Sequence, residues 1–276
     1  MIPIDELTIM NDYLFGIVMR QEKFCKPLLE FILGIKIRKL VYINDQETIS
    51  SDILNAKSIR LDVYVEDEAE TVYDIEVQTT DKRNVGKRMR FYQSLIDVRG
   101  LEKGRDYKKL KKSFIIFICN YDPFKKNRLV YTFRNRSDED YSVILSDEAA
   151  KIIINTKGTL GDVSPELRAV IEYMNTGLAS SEYTKDLDKE VIIVKSDEKV
   201  RKEYMLLMEA YAMREDTGEH KRVVSQIRDA INELSVQKMA KYFKVSEQDC
   251  LSVLDCIREH PDWDDRQIAE EIYWED

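Results

Sequence analysis

The sequence has little of what many catalytic machineries are built from. Only two histidines occur in 276 residues, His220 and His260, both in the last third, which removes histidine-dependent triads and histidine-rich metal sites. The four cysteines, Cys25, Cys119, Cys250 and Cys256, are too few and too scattered for a disulfide framework. No CxxC pair suggests zinc, and a reducing cytoplasm is the expected location. Nine glycines and five prolines exclude collagen-like and low-complexity chains, and no Gly-rich phosphate loop supports an NTPase. No apolar run approaches the roughly 18 residues a membrane span needs. The start MIPIDELTIMNDYLF lacks a basic segment followed by an apolar one, so secretion is not expected either. Chemistry must come from carboxylates, amides, Lys, Arg or Tyr.

Charge, by contrast, is plentiful and unevenly placed. The net charge of −9 divides into −7 over residues 1–76, +12 over 77–136 and −14 over 137–276. A basic stretch between acidic flanks is the local footprint of a phosphate-contacting surface. It is equally the signature of a solvated helix face, and charge alone does not separate the two.

Residues 10–20 and 27–33 read as short helices, the first capped by Asn11 or Asp12 and the second with Pro27 in its first turn. Residues 40–43 read as a short strand. The stretch IRLDVYVE (59–66) alternates, with Ile59, Leu61, Val63 and Val65 on one face and Arg60, Asp62, Tyr64 and Glu66 on the other. TVYDIEVQ (71–78) does the same, placing Asp74, Glu76 and Gln78 opposite Tyr73, Ile75 and Val77, with EDEAE as the turn between the strands. From Lys82 to Val98 apolar residues recur at helical spacing, and Arg83, Lys87, Arg88 and Arg90 are spread around the exposed sides. Phe114–Cys119 is an apolar run suited to a central strand, 129–133 and 152–155 add strands, and SPELRAVIEYMNTG (164–177) carries a Ser cap, an early Pro and a terminal Gly. The order implies an α/β or α+β domain. Beyond residue 180 the chain reads as nearly all helix with a break at TGEH (217–220), which divides it into an expected 1–180 domain and a helical 181–276 domain.

If the loop between the two alternating strands has an odd number of residues, the register that joins the apolar faces also sets Asp62 beside Asp74, Glu76 and Gln78. Asp62 and Glu76 then become direct or diagonal neighbours, about 4.5–8 Å apart at Cβ. Two carboxylates so close repel unless a cation lies between them, and a hard divalent ion suits the purpose. The competing reading is a solvated acidic strand face.

At this point the residues resemble a known pattern. Asp62, followed after thirteen residues by Glu76-Val77-Gln78, is similar to the PD-(D/E)XK nuclease signature. More specifically, NDYLF (11–15), RLDVYV (60–65), DIEVQ (74–78), KRMRFYQSLID (87–97) and the segment 103–124 resemble the recombination-promoting nuclease and transposase family of that superfamily. The resemblance implies a restriction-endonuclease-like mixed β-sheet core flanked by helices and an activity as a metal-dependent DNA endonuclease. It implies Asp62 and Glu76 as metal ligands, the Val77 carbonyl as a third, and Gln78 as the group that orients the attacking water. The ion implied is Mg²⁺, with Mn²⁺ or Ca²⁺ as alternatives. A further acid from the first helices stays open between Glu30 and Asp12. Arg83, Lys87, Arg88 and Arg90 follow as contacts to the DNA backbone. Gln78 stands where most of the superfamily carries Lys, and Leu61 replaces the Pro of the motif's name.

The C-terminal segment MAKYFKVSEQDCLSVL has the outline of a helix-turn-helix with Ser246 as cap. Its acidic surroundings favour a bundle for homodimerisation or partner docking over DNA reading, and Trp263 and Trp274 are expected to pack. A second functional class competes with the nuclease: a DNA-binding or oligomerising protein that keeps the fold and hydrolyses weakly or not at all. A small-molecule enzyme gains nothing from the basic helix.

Overall fold

β-Branched and aromatic residues build a mixed six-stranded sheet at the centre of the first of two units, Ile2–Val200. The computed structural model describes residues 2–42, 62–101, 104 and 106–273. The strands are β1 (Leu40–Tyr42), β2 (Val63–Asp67), β3 (Val72–Gln78), β4 (Ser113–Cys119), β5 (Val130–Phe133) and β6 (Ala149–Asn155), in spatial order β1-β2-β3-β4-β6-β5. β3, β4 and β6 run parallel, and the outer pairings are antiparallel. Every residue of β4 is buried, because strands flank it on both edges and helices cover both faces of the sheet. Of the strand expected over 59–66, residues 59–61 lie outside the described residues and the ladder begins at Val63.

α1 (Asp12–Met19) is capped by Asn11, whose side chain accepts from the Leu14 N–H at 3.1 Å. α2 (Glu22–Leu33) corrects the sequence reading, since Pro27 lies inside the helix and not in its first turn. Pro in a helix interior costs about 3 kcal/mol. The turn it adds buries Phe24 and Cys25 with Leu28 and Leu29, and each such side chain contributes roughly 1.5–3 kcal/mol. α3 (Val85–Gly100) lays Met89, Tyr92, Leu95 and Ile96 on Val72, Ile115 and Phe117, covering the sheet face that carries Asp74, Glu76 and Gln78. The opposite face meets α1, which packs with α2 and α5 (Glu182–Ser196), while α4 (Pro165–Thr176) joins α2 to α5. The expected mixed sheet flanked by helices is therefore present. α4 has the Ser164 cap and the left-handed Gly177, φ 75°, that its sequence announces.

The second unit, Arg201–Asp276, contains most of α6 (Glu198–Ala230), with α7 (Val236–Phe243), α8 (Glu247–Glu259) and α9 (Asp265–Tyr273). Val224, Ile227, Met239, Cys250, Val253 and Ile268 form its core. The break expected at 217–220 does not occur, and α6 runs through it. A lone Gly in a helix costs only about 1 kcal/mol, and the chain leaves helical geometry instead at Asp197, ahead of α6. The expected helical 181–276 segment begins with α5, which the fold places in the first unit. α7, the left-handed Lys244 and α8 make the helix-turn-helix outline, and Ser246 caps α8. The exposed residues of α8 include Glu247, Asp255 and Glu259, so this helix offers no basic face. Trp263 packs on this core and stacks on His260 at 3.8 Å, while Trp274 lies outside the described residues. All four cysteines are buried, and none is in a disulfide among the described residues. Among the described residues no helix is long and apolar enough to cross a membrane.

Candidate active site

β2 and β3 pair with Val63 opposite Ile75 and Val65 opposite Tyr73. Continued by one residue, this register sets Asp62 opposite Glu76, the neighbourhood that the alternating sequence predicts. The two residues lock each other. The Asp62 N–H donates to Glu76 Oε1 at 2.9 Å, and the Val77 N–H donates to Asp62 Oδ2 at 3.0 Å. One oxygen of each carboxylate is thereby tied to backbone.

This is not a solvated acidic face. Asp74 is 0% and Glu76 2% exposed, because α3 lies over them. Burial pushes both carboxyls well above the usual carboxylate range, and the Asp62 charge pushes them further, against the lowering effect of the Arg88 guanidinium. Among the described residues neither Asp74 oxygen has a hydrogen-bond partner. A buried, unpartnered carboxylate either holds its proton or faces a cation.

α3 supplies the cationic side of the site. Arg88 reaches back onto β3, where Nη1 donates to Gln78 Oε1. Its Nη2 donates to the Tyr92 hydroxyl at 2.9 Å and stands 3.7 Å from Glu76 Oε2. The guanidinium lies 5.5 Å from the centroid of the Tyr92 ring and 5.3 Å from that of Phe117. Gln78, Arg88 and Tyr92 also line a cleft of about 880 Å³, whose other walls include Glu6, Asn11 and Asp12 from the N-terminal segment and Lys82 and Lys87 from the approach to α3 and its first turn.

An acid pair on a hairpin, a glutamine two residues on and a basic helix over them, all in a mixed sheet, agree with the family comparison. The model of the PD-(D/E)XK nuclease family transposase matches residues 9–158, more than half of the 276. The chain belongs to that family. Searches of curated proteins and of solved structures gave no match.

Within this nuclease-family frame the expected residues separate. Asp62, Glu76, Val77 and Gln78 come together at the open end of the hairpin. The N–H and C=O of a strand residue point to the same side, so the Val77 carbonyl faces the Asp62 edge as its N–H does. Asp12 lines the cleft. Glu30 does not, and instead accepts from the Ile37 N–H at 2.9 Å and pairs with Lys36 at 3.2 Å beside a separate hollow. Lys87 borders the cleft, whereas Arg83 and Arg90 are exposed outside its lining. Arg88 departs from the reading that spread it over an exposed helix side, since it is half-buried and turned onto Gln78 and Glu76. The basic stretch also divides. The Lys112 carbonyl accepts from the Val72 N–H at 2.8 Å, which puts Lys108–Lys112 at the end of β3 opposite Gln78.

Sequence reasoning set Asp74 on the acidic face and began the basic helix at Lys82, but named neither as a site residue. The signal for Asp74 was present, because a period of two puts it on the face of Glu76. What the sequence withheld was that a helix would bury it. The four-residue spacing of Arg88 and Tyr92 likewise announced a pair on one helix face.

Among the described residues no three His, Cys, Asp or Glu side chains are grouped closely enough to cage a metal. Two carboxylates fit Mg²⁺ nonetheless, because that ion keeps several waters and takes only one or two carboxylates from the protein. The orphaned Asp74 carboxyl, two residues before Glu76 on the same strand face, agrees with a cation nearby.

Proposed function

We propose that this protein is a divalent-metal-dependent DNA endonuclease that hydrolyses phosphodiester bonds, using Mg²⁺ with Mn²⁺ or Ca²⁺ as alternatives. The observation that carries the reading is the Asp62–Glu76 lock, joined to a cleft with Lys82 and Lys87 on its wall. Asp62 and Glu76 hold the ion, with the Val77 carbonyl as a third ligand and Asp12 as the acid from the first helix. When bound, the ion lowers the pKa of a water and neutralises charge developing on the phosphoryl group. The protein positions the rest: Lys82 and Lys87 hold the backbone without reading sequence, and Gln78, on the cleft wall, is the residue that the sequence pattern gives to orienting the attacking water. A place in mobile-element movement accords with the family's description, and our reading extends it to DNA recombination in the cytoplasm. Pairing of two copies through the helical C-terminal region would let two sites act on two strands, and light scattering of the purified protein checks it.

Supercoiled plasmid incubated at fixed low salt with each ion in turn tests the activity. Nicking by the wild type that Asp62→Asn and Glu76→Gln both lose is the expected result. The neutral Gln78 favours one competing reading, a DNA-binding protein that hydrolyses weakly, since an amide offers no titratable proton. Metal and DNA binding with no cleavage selects it.

A further inference from the structure

Resting on the nucleic-acid reading of the cleft, we propose that Arg88 is a positioning residue that fixes the amide of Gln78. Gln78 then presents its Nε2 hydrogens, and not its oxygen, to a phosphate oxygen of the bound strand.

A guanidinium has five N–H donors and no acceptor, whereas a glutamine amide has one oxygen that accepts and one nitrogen that donates. Arg88 Nη1 meets the Gln78 side chain, so the atom it meets is necessarily Oε1. That is the only hydrogen bond the Gln78 side chain makes among the described residues, and Gln78 lines the cleft. The nitrogen is what remains for a ligand.

Neither end of this arrangement is loose. The Gln78 backbone carbonyl accepts from the Asn120 N–H at 3.1 Å, which anchors the end of β3 to the chain after β4. The guanidinium is held by the Tyr92 hydroxyl at 2.9 Å and by two aromatic rings, and the Tyr92 ring is itself fixed edge-on to Phe117 at 5.6 Å. A donor held in place acts on charge that develops during reaction without reorganising first.

The role this gives Gln78 differs from orienting the attacking water. An N–H aimed at that water would engage the lone pair needed for attack, whereas an N–H aimed at a non-bridging phosphate oxygen stabilises charge where it accumulates. Gln78 thus supplies, through a neutral donor, contact to the phosphate that a lysine would supply through an ammonium. Arg88 keeps the positive charge one shell back.

Two measurements on the full chain test the proposal. The first is single-turnover cleavage of a DNA duplex with Mg²⁺ by the wild type, Gln78→Glu, Arg88→Met, Arg88→Lys and the Gln78→Glu/Arg88→Met double variant. Glutamate accepts from Arg88 as glutamine does and leaves no donor for the phosphate. Each of Gln78→Glu and Arg88→Met is expected to lose roughly 10²-fold in rate at saturating DNA, as removal of one oxyanion donor does. The double variant should fall no further than the worse single one, because the two residues act as a unit. Arg88→Lys, with a single donor head, should recover only part of the loss.

The second measurement needs no turnover. In protein labelled with ¹⁵N at glutamine side chains, the Gln78 amide signal is assigned by its disappearance in Gln78→Glu and followed as the duplex is added with Ca²⁺. It should move in the wild type and stay still in Arg88→Met brought to the same saturation. Losses that multiply in the double variant, or an amide signal that DNA does not move, overturn the proposal even if the wild type cuts. A wild type that cuts with none of the ions removes the nuclease reading, and the amide signal then decides the orientation of Gln78 by itself.

Discussion

A Cβ on Gly16 of α1 would stand 3.2 Å from the backbone carbonyl oxygen of Asp62. The helix therefore backs the strand position that carries the first carboxylate of the candidate metal site, at a distance that a side chain on residue 16 would make tighter than ordinary van der Waals contact. Gly16→Ala separates two effects of opposite sign. The helix gains about 1 kcal/mol from losing a glycine, while the close contact costs on the order of 1 kcal/mol or more as Asp62 gives way by a few tenths of an ångström. Stability should stay near the wild-type value while Asp62 moves. The expected result is an unchanged melting temperature with roughly 10-fold weaker Mg²⁺ binding by calorimetry, in line with the cost of small displacements at reacting centres. Equal metal affinity in the two proteins would show that Asp62 does not depend on this contact.

Much of the site was legible because it is built on a period of two. The alternation of 59–66 and 71–78 decides which side chains share a face, and Asp62 opposite Glu76 follows from it and from the turn. The run Phe114–Cys119 announced a strand covered on both faces, and its residues are all buried. What the sequence could not announce was long-range packing. Nothing local says that the helix after the hairpin folds back over Asp74 and Glu76, and so nothing local says that Arg88 turns inward while Arg83 and Arg90 stay in water. Pro27 misled for a related reason. Its local preference for a first turn is real, but the apolar stripe through Phe24, Cys25 and Leu28 outweighs it.

Asp74 makes the metal-free protein sensitive to pH. Burial, followed by the Asp62 charge, raises its carboxyl well above the ordinary range, whereas the unfolded chain titrates at about 3.9. The folded state therefore binds a proton that the unfolded state has released. Stability from this group is fully present below about pH 4 and is lost as pH rises towards the folded value. Glu76 contributes with the same sign. Asp74→Asn removes this titration without changing shape. Its melting temperature should match the wild type near pH 4 and exceed it at pH 8. The gain is the free energy of the avoided proton uptake, about 1.4 kcal/mol for each pH unit between the unfolded and the folded value, or roughly 2–4 °C per kcal/mol at this domain size. Thermal scans without metal at the two pH values check it, and parallel curves would show that the Asp74 carboxyl titrates alike in the folded and unfolded chain.

The second unit offers a test that leaves the cleft alone. Ser246 Oγ accepts from the Asp249 N–H at 3.0 Å, and Asp249 Oδ2 accepts from the Ser246 N–H at 3.1 Å, a reciprocal cap on α8. Ser246→Ala removes half of it and should cost about 1 kcal/mol. The loss should appear in amide exchange of α7, α8 and α9, with plasmid cleavage unchanged. Slower cleavage by this variant would tie the helical unit to the reaction.

The division of the basic stretch makes a prediction about salt. Lys82 and Lys87 line the cleft, whereas Lys108 and Lys109 lie in a turn ahead of β4, at the end of the sheet remote from Gln78. Each phosphate a lysine neutralises adds about 0.9 to the slope of log affinity against log salt for duplex DNA. Lys82→Ala with Lys87→Ala should lower that slope by roughly 2 and weaken binding alike for unrelated sequences, since backbone contacts carry no sequence information. Lys108→Ala with Lys109→Ala removes the same formal charge from the chain and should leave the slope where it was. Fluorescence anisotropy of a labelled duplex with Ca²⁺ over a range of salt concentrations separates the outcomes. Equal reductions by the two pairs would mean that DNA responds to the summed charge of the stretch, and the cleft would lose its claim to be the binding surface.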